Sequence, residues 1–165
     1  MNIFVLHQDP NVSARMLCDK HVVKMLLETA QLLCSVHWAT GEDYAPYKLT
    51  HLKHPCSVWA RESIQNYRWL CRHGSELCLE YTRRYHRVHK SQEVICWCIA
   101  NEPELKDIGL TEFVQAMPEK YRDIDAVQAY RHYYIGEKLK FAKWKLGNIP
   151  ILFANAIVKQ RETLQ

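Results

Sequence analysis

Glycine and proline are scarce in this chain, five and six residues among 165, and they do not cluster. That excludes collagen-like, low-complexity and linker-rich organisation, and it leaves room for long helices. No apolar run approaches the roughly 20 residues of a membrane span, so no membrane partner is expected. The opening MNIFVLHQDP lacks the charged start, long apolar core and small-residue cleavage site of a secretion signal, and a cytoplasmic protein is expected. The seven cysteines are odd in number and contain no C-x-x-C. They are expected to be reduced thiols, mostly buried, rather than a disulfide framework. His51, His54 and Cys56, or His86 and His89, could be weighed as zinc ligands. The paired knuckles of a structural zinc module are missing, so no metal is expected. There is no Gly-rich phosphate loop, dinucleotide fingerprint, Ser nucleophile elbow or H-E-x-x-H. No cofactor is expected.

What is present suits a globular helical protein. Hydrophobic residues make up 48% and charged ones 24%, and the length predicts one domain over residues 1–165 with a real core. The net charge of +4 permits a nucleic-acid partner without requiring one. Met1 to Leu6 is apolar and β-prone, a short extended segment. Asp9-Pro10 supplies a cap and a first-turn proline for a helix that runs to about Trp38, with a break near Asp19. Pro55 restarts the helix. From Ala60 to Tyr85 apolar or small residues recur at alternating spacings of four and three, the stripe of a helix packed along another. Cys71, Gly74 and Cys78 in that stripe let the partner come close. Ser91 is placed to cap a short third helix. Pro103, Gly109 and Pro118 break the next segment, leaving a helical turn at Thr111 to Ala116. Asp123 or Asp125 caps a fourth helix to about Trp144, and Pro150 opens a last one ending near Leu164. The predicted fold is all-α, a compact bundle of about five helices.

The segment Cys18 to Ser35 carries the strongest functional signal. Projected on a helix, Lys20, Gln31, Lys24, Ser35, Glu28 and His21 fall within about 100° of arc. Nearly everything else on that helix is apolar. A helix that is apolar over most of its circumference is buried. A thin stripe of cations, histidine and one carboxylate on it lines a candidate site, satisfied from within or by something that enters a cleft. The plainer alternative is an exposed strip in which Lys24 pairs with Glu28 at i,i+4. A lone carboxylate with histidine and lysines fits proton transfer or stabilisation of a cationic transition state.

Two further segments are candidates for phosphate contact. In HLKHPCSVWARESIQNYRWL, His54 precedes a helix start that Arg61 and Asn66 crowd, and helix N-termini favour phosphate. The alternative is a tryptophan-rich helix docked on the core, with Arg61 paired to a carboxylate. In AYRHYYIGEKLKFAKWKLGN, Tyr134 and Trp144 interleave with Lys138 and Lys145, as suits a backbone with bases stacked on rings. The alternative assigns the rings to the core and the lysines to a solvated face.

On these residues the chain resembles the pyrimidine-dimer DNA glycosylases, small all-α repair enzymes of the endonuclease V type from T-even phages. The shared pattern is His21 and, seven residues on, Glu28 followed by TAQLL. It continues with His54-Pro55, the long helix from Tyr67 to Arg83-Arg84-Tyr85, and Glu137-Lys138-Leu139 ahead of Trp144. The resemblance implies double-stranded DNA as partner, a flipped nucleotide, attack of the N-terminal α-amine on the sugar C1′, and an imine that leads to strand cleavage. It implies that Glu28 holds the developing sugar cation and moves protons, with His21 beside it. Where the family often has arginine before the glutamate, this chain has Leu27. Asn2 is bulky for removal of the initiator, so the α-amine is expected to be that of Met1. Two other functions share these residues: a transferase that modifies a flipped DNA base through Glu28, and a nucleic-acid-binding module without catalysis.

Overall fold

The first helix begins where the sequence puts a cap and a proline together. In the computed structural model, which describes residues 1–165, the Asp9 carboxylate accepts the N–H groups of Asn11 at 2.8 Å and Val12 at 3.3 Å. Helix α1 spans Pro10–Met16 and α2 spans Asp19–Ala39. The break anticipated near Asp19 is thus a full interruption. Leu17 and Cys18 are extended, and tertiary contacts hold them so: the Cys18 N–H donates to the Tyr134 hydroxyl and the Asp19 N–H to the Lys143 carbonyl. The helix expected from Pro55 to Tyr85 is likewise two. Helix α3 covers Pro55–Glu62 and α4 covers Ile64–Tyr85, with Ser63 extended between them and its hydroxyl capping Gln65. At each break a backbone N–H is captured from outside the helix, that of Cys18 by Tyr134 and that of Ile64 by the Lys106 carbonyl, and the two breaks raise the expected five helices to seven.

Helix α4 is the centre of the packing, in contact with α1, α2, α3 and the Gln92–Ala100 helix α5. The small trio in its stripe allows this. A Cβ added to Gly74 would lie 3.1 Å from both the Thr29 Cγ2 and the Ile95 Cδ1, so α2 and α5 meet α4 at close range. The Ser91 hydroxyl does not cap α5; it bonds to the Tyr47 hydroxyl at 2.9 Å. At the far end of α4, the fully buried Arg84 donates to the carbonyls of Leu17 and Arg15 and pairs with Glu80 and Asp19. One guanidinium therefore ties the α1–α2 junction to α4, its charge matched by two carboxylates as burial demands.

The N-terminal segment forms no strand. It threads the interior, with Ile3, Phe4, Val5 and Leu6 all buried. Its backbone groups are satisfied by side chains instead of a ladder. Asn2 Oδ1 accepts the N–H of Ile3 and of Phe4, Ser13 Oγ accepts that of Leu6, and Arg131 donates to the Leu6 carbonyl. Phe4 is left-handed, at φ +55°.

Beyond α5 the chain is irregular through residue 118, and the helical turn expected at Thr111 to Ala116 is not formed. Thr111 is used otherwise: its N–H donates to Asn66 Oδ1, which straps the segment to α4. A single 3₁₀ turn follows at Glu119–Tyr121. Asp125 caps α6, Ala126–Tyr133, through the N–H groups of Val127 and Gln128. The expected run to Trp144 instead widens into a π turn at Tyr134–Lys138, closed by Leu139 N–H to the Tyr134 carbonyl. Gly136 sits in that turn because a Cβ there would lie 2.5 Å from the Tyr121 hydroxyl oxygen. Helix α7, Ile151–Thr163, closes the chain.

Candidate active site

Helix α2 buries most of its circumference, as its apolar surround requires. Lys20 and Lys24 stand exposed along the stripe, while Glu28 and His21 lie at its buried edge, 8% and 5% exposed. The N-terminal segment runs over that edge. The Asn2 N–H donates to Glu28 Oε2 at 3.0 Å, and the Met1 α-amine lies 3.9 Å from the same oxygen. Lys24 Nζ stands 3.8 Å from Oε1. One carboxylate thus faces an α-amine and a lysine, with only its rim in contact with solvent.

Asn2 sets this arrangement. Its amide nitrogen donates to the Ala116 carbonyl at 2.8 Å while its oxygen holds the next two backbone N–H groups. Both ends of the side chain are therefore engaged, and the turn they hold directs residue 1 at Glu28. The Met1 side chain is itself buried, 3% exposed.

His21 lies about two turns ahead of Glu28 on α2. Its ring stacks on Phe4 with centroids 4.4 Å apart, and its Nδ1 is 2.8 Å from the Tyr134 hydroxyl. Burial, and after it the charges of Lys138, Lys24 and Lys20, push its pKa down to about 4, so the ring is neutral at physiological pH. Lys138 Nζ sits over the rings of Tyr133 and Phe4, 4.8 and 5.6 Å from their centroids. Lys20 covers Phe141 at 5.1 Å. His54 caps α3, its Nδ1 accepting the Cys56 N–H. Its pKa is lowered by burial first and then by the charge of the N-terminal amine, which places it on the same side of the molecule.

Of the residues singled out in the sequence, Met1 and Lys24 meet at Glu28, and Lys138 and Lys20 lie over Phe4 and Phe141, the two rings that pack on His21. Tyr134 joins them through its hydroxyl on His21, whereas Arg61, Asn66, Trp144 and Lys145 lie elsewhere. Arg61 donates to the Leu52 carbonyl and the Ser57 hydroxyl, pinning the loop ahead of α3. Asn66 is fully buried and bonds to Trp59 and Thr111. Tyr134 is fully buried, and Trp144 is nearly so, donating to the Met16 carbonyl. In these three positions the plainer core assignment describes the structure: their polar atoms bind the fold, not solvent. Lys145 stays exposed, over the Tyr85 ring at 5.2 Å. Asn2, Phe4 and Tyr133 are site residues that the sequence did not reveal. Asn2-x-Phe4 reads as the start of an apolar run, and no periodicity encodes a left-handed Phe.

No helix is long and apolar enough to cross a membrane. No curated protein and no solved structure matches the chain. A family model described as pyrimidine dimer DNA glycosylase matches residues 1–93. That span is more than half of the 165 residues and holds Met1, His21, Lys24, Glu28 and His54, whereas Tyr134 and Lys138 lie beyond it. With its amine, histidine and carboxylate inside the matched span, the chain belongs to the pyrimidine dimer DNA glycosylase family.

Proposed function

We propose that the protein excises a base from double-stranded DNA, using the α-amine of residue 1 as nucleophile and Glu28 as its acid–base partner. The observation that carries this reading is the 3.9 Å separation between that amine and Glu28 Oε2. The amine must lose a proton before it can attack, and the carboxylate is positioned to take it. α-Amines release their proton roughly two to three pH units below lysine ammonium groups, which favours residue 1 over Lys24 in this role.

The amine lone pair forms a bond to C1′ of a flipped nucleotide while the C1′–N bond to the base breaks. The base leaves with that electron pair and is protonated. The sugar carries positive charge as the bond breaks, and Glu28 stabilises it. Opening of the sugar ring then gives an iminium between residue 1 and C1′, with O4′ protonated, and strand cleavage by elimination follows from that species. The Glu28 rim is too buried for a base inside a duplex to reach, so extrusion of the nucleotide accompanies binding.

The test is incubation with UV-irradiated, undamaged and base-modified duplexes in the presence of borohydride. Reduction of the iminium should leave a covalent adduct, and the mass of the N-terminal peptide should place it on residue 1. Base release without an adduct would replace the amine by water as nucleophile. A mass gain on the DNA with neither release nor adduct would identify a base-modifying transferase, and binding alone a non-catalytic module.

A further inference from the structure

Tyr134 lies outside residues 1–93 matched by the family model, and its hydroxyl is fully buried between two partners. It accepts the Cys18 N–H at 3.0 Å and faces His21 Nδ1 at 2.8 Å. A phenol has one hydrogen to give. With the Cys18 N–H already on the oxygen, the hydrogen has a well-placed acceptor in the Nδ1 lone pair. Were Nδ1 protonated instead, two donors would point at the oxygen, and the phenolic hydrogen would be left to the Cys18 sulfur, a weak acceptor. The neutral ring therefore carries its proton on Nε2. That nitrogen has no partner in the chain, yet it is not sealed from solvent as the Nε2 of His73 is. Stacking on Phe4 and the edge of Phe141 at 5.7 Å fix the plane of the ring. Lys20, Lys24 and Lys138 all bear on it electrostatically.

We propose that Tyr134 locks His21 as the Nε2–H tautomer, and that this N–H is a fixed donor to a phosphate oxygen of bound DNA. A neutral donor with three ammonium groups around it suits an anionic acceptor, and it excludes a role for His21 as a proton acceptor at Nε2. Tyr134 acts through His21 and is a positioning residue. The phosphate assignment rests on the DNA reading above; the tautomer does not.

The tautomer is read on the full-length protein without DNA, from two-bond ¹⁵N–¹H correlations of ¹⁵N-labelled histidine at pH 7. His21 should show the Nε2–H pattern alone, and Tyr134→Phe, which keeps the ring stacked on Phe153, should shift it to a mixture. An Nδ1–H pattern in the parent, or identical spectra in the two proteins, would overturn the lock. The donor is tested by binding to a duplex bearing a tetrahydrofuran abasic analogue. His21→Gln keeps an amide N–H where Nε2–H stood, and should bind within about threefold of the parent. His21→Asn places its amide at the Nδ1 position and should lose about tenfold, the size of one charge-assisted hydrogen bond. Replacing the phosphodiester beside the analogue with methylphosphonate should erase the difference between the variants. Equal affinity of Gln and Asn variants, a difference that survives methylphosphonate, or no binding by the parent would each refute the phosphate contact. Failure of base release with the Nε2–H pattern intact would instead count against the glycosylase reading alone.

Discussion

The backbone N–H of Asn2 donates to Glu28 Oε2 at 3.0 Å, across 26 residues of sequence. This bond fixes the start of the chain to the middle of α2 and holds the α-amine within reach of the same oxygen. Hydrogen bonds to a carboxylate are among the stronger ones in proteins, and a half-sealed site strengthens them further. Glu28 thus has a structural duty toward Asn2 and a proposed chemical one toward residue 1.

Those two duties separate in Glu28→Gln. The amide has nearly the shape of the carboxylate, and its oxygen still accepts the Asn2 N–H, so the loss in stability should stay near 1 kcal/mol. The charge and the proton acceptor vanish, and base release should fall by about 10²- to 10⁴-fold. Melting and turnover measured on one preparation decide the matter. A large melting loss with normal turnover would mean that Glu28 serves only Asn2 and Lys24.

The stability of the protein should fall as the pH drops from about 6.5 toward 4. His21 and His73 are both pushed down to about 4, His73 by full burial against Trp69. Unfolded histidine titrates near 6.5. Below that value the unfolded chain takes up protons that the folded protein refuses, so the folded state is penalised. Each group contributes up to about 1.4 kcal/mol per pH unit in this window. The full stability is present above pH 6.5. His73→Phe keeps the stack and removes one titrating group, so the slope of unfolding free energy between pH 6 and 5 should fall by about 1 kcal/mol per pH unit, with His21, His54 and His89 supplying what remains. Urea titrations at those pH values check this; an unchanged slope would place the pH dependence elsewhere.

The helices were legible where local signals and tertiary demands agree. Asp9-Pro10 and Asp125 cap the helices they announce, and the small residues around Gly74 mark the closest approach of α4 to its neighbours. The polar stripe of α2 located Glu28, His21 and Lys24 because a period of 3.6 residues survives any packing. Other features depend on partners distant in sequence. The break near Asp19 is legible in the sequence but its cause is not: the Tyr134 hydroxyl takes the Cys18 N–H from across the fold. The π turn depends on Tyr121 crossing Gly136. Asn66, Tyr134 and Trp144 look in sequence like polar and aromatic reach toward nucleic acid, yet each finds its partners inside the fold. Composition gives the chemistry of a side chain but not the side of the surface on which it ends.

DNA affinity should fall steeply with salt, and Lys138 and Lys145 should each account for part of the slope. Lys138 is held over Phe4 and Tyr133 beside the proposed site, and Lys145 stands exposed over Tyr85 near the start of α2. Removing one phosphate contact lowers the slope of log K against log salt by about 1. Lys138→Ala should show that change together with a loss of affinity, and Lys145→Ala a smaller loss of affinity with a similar change in slope. Filter binding between 50 and about 200 mM salt measures both. If neither affinity nor slope moves, these lysines belong to a solvated face.

Asn2→Ala offers the sharpest separation of geometry from chemistry. The substitution leaves the α-amine, Glu28, Lys24 and His21 in the chain, and it removes only the three side-chain bonds that hold the turn. The Ala116 carbonyl loses its donor, and the N–H groups of Ile3 and Phe4 lose their acceptor in a buried place, at a cost of about 1–3 kcal/mol for each unsatisfied group. Phe4 holds φ +55°, a conformation worth roughly 1–2 kcal/mol of strain, and the turn that enforces it is gone. Phe4 should relax toward extended backbone, carrying residue 1 away from Glu28 and uncovering the His21 ring. Borohydride trapping should therefore drop by about ten- to a hundredfold, as misplacement of a reacting group by about an ångström can cost about 10²-fold. Asn2→Asp keeps the acceptor for Ile3 and Phe4 and should recover most of the trapping. Equal trapping by the parent and the alanine variant would show that the amine reaches the sugar from a position other than the one Asn2 holds.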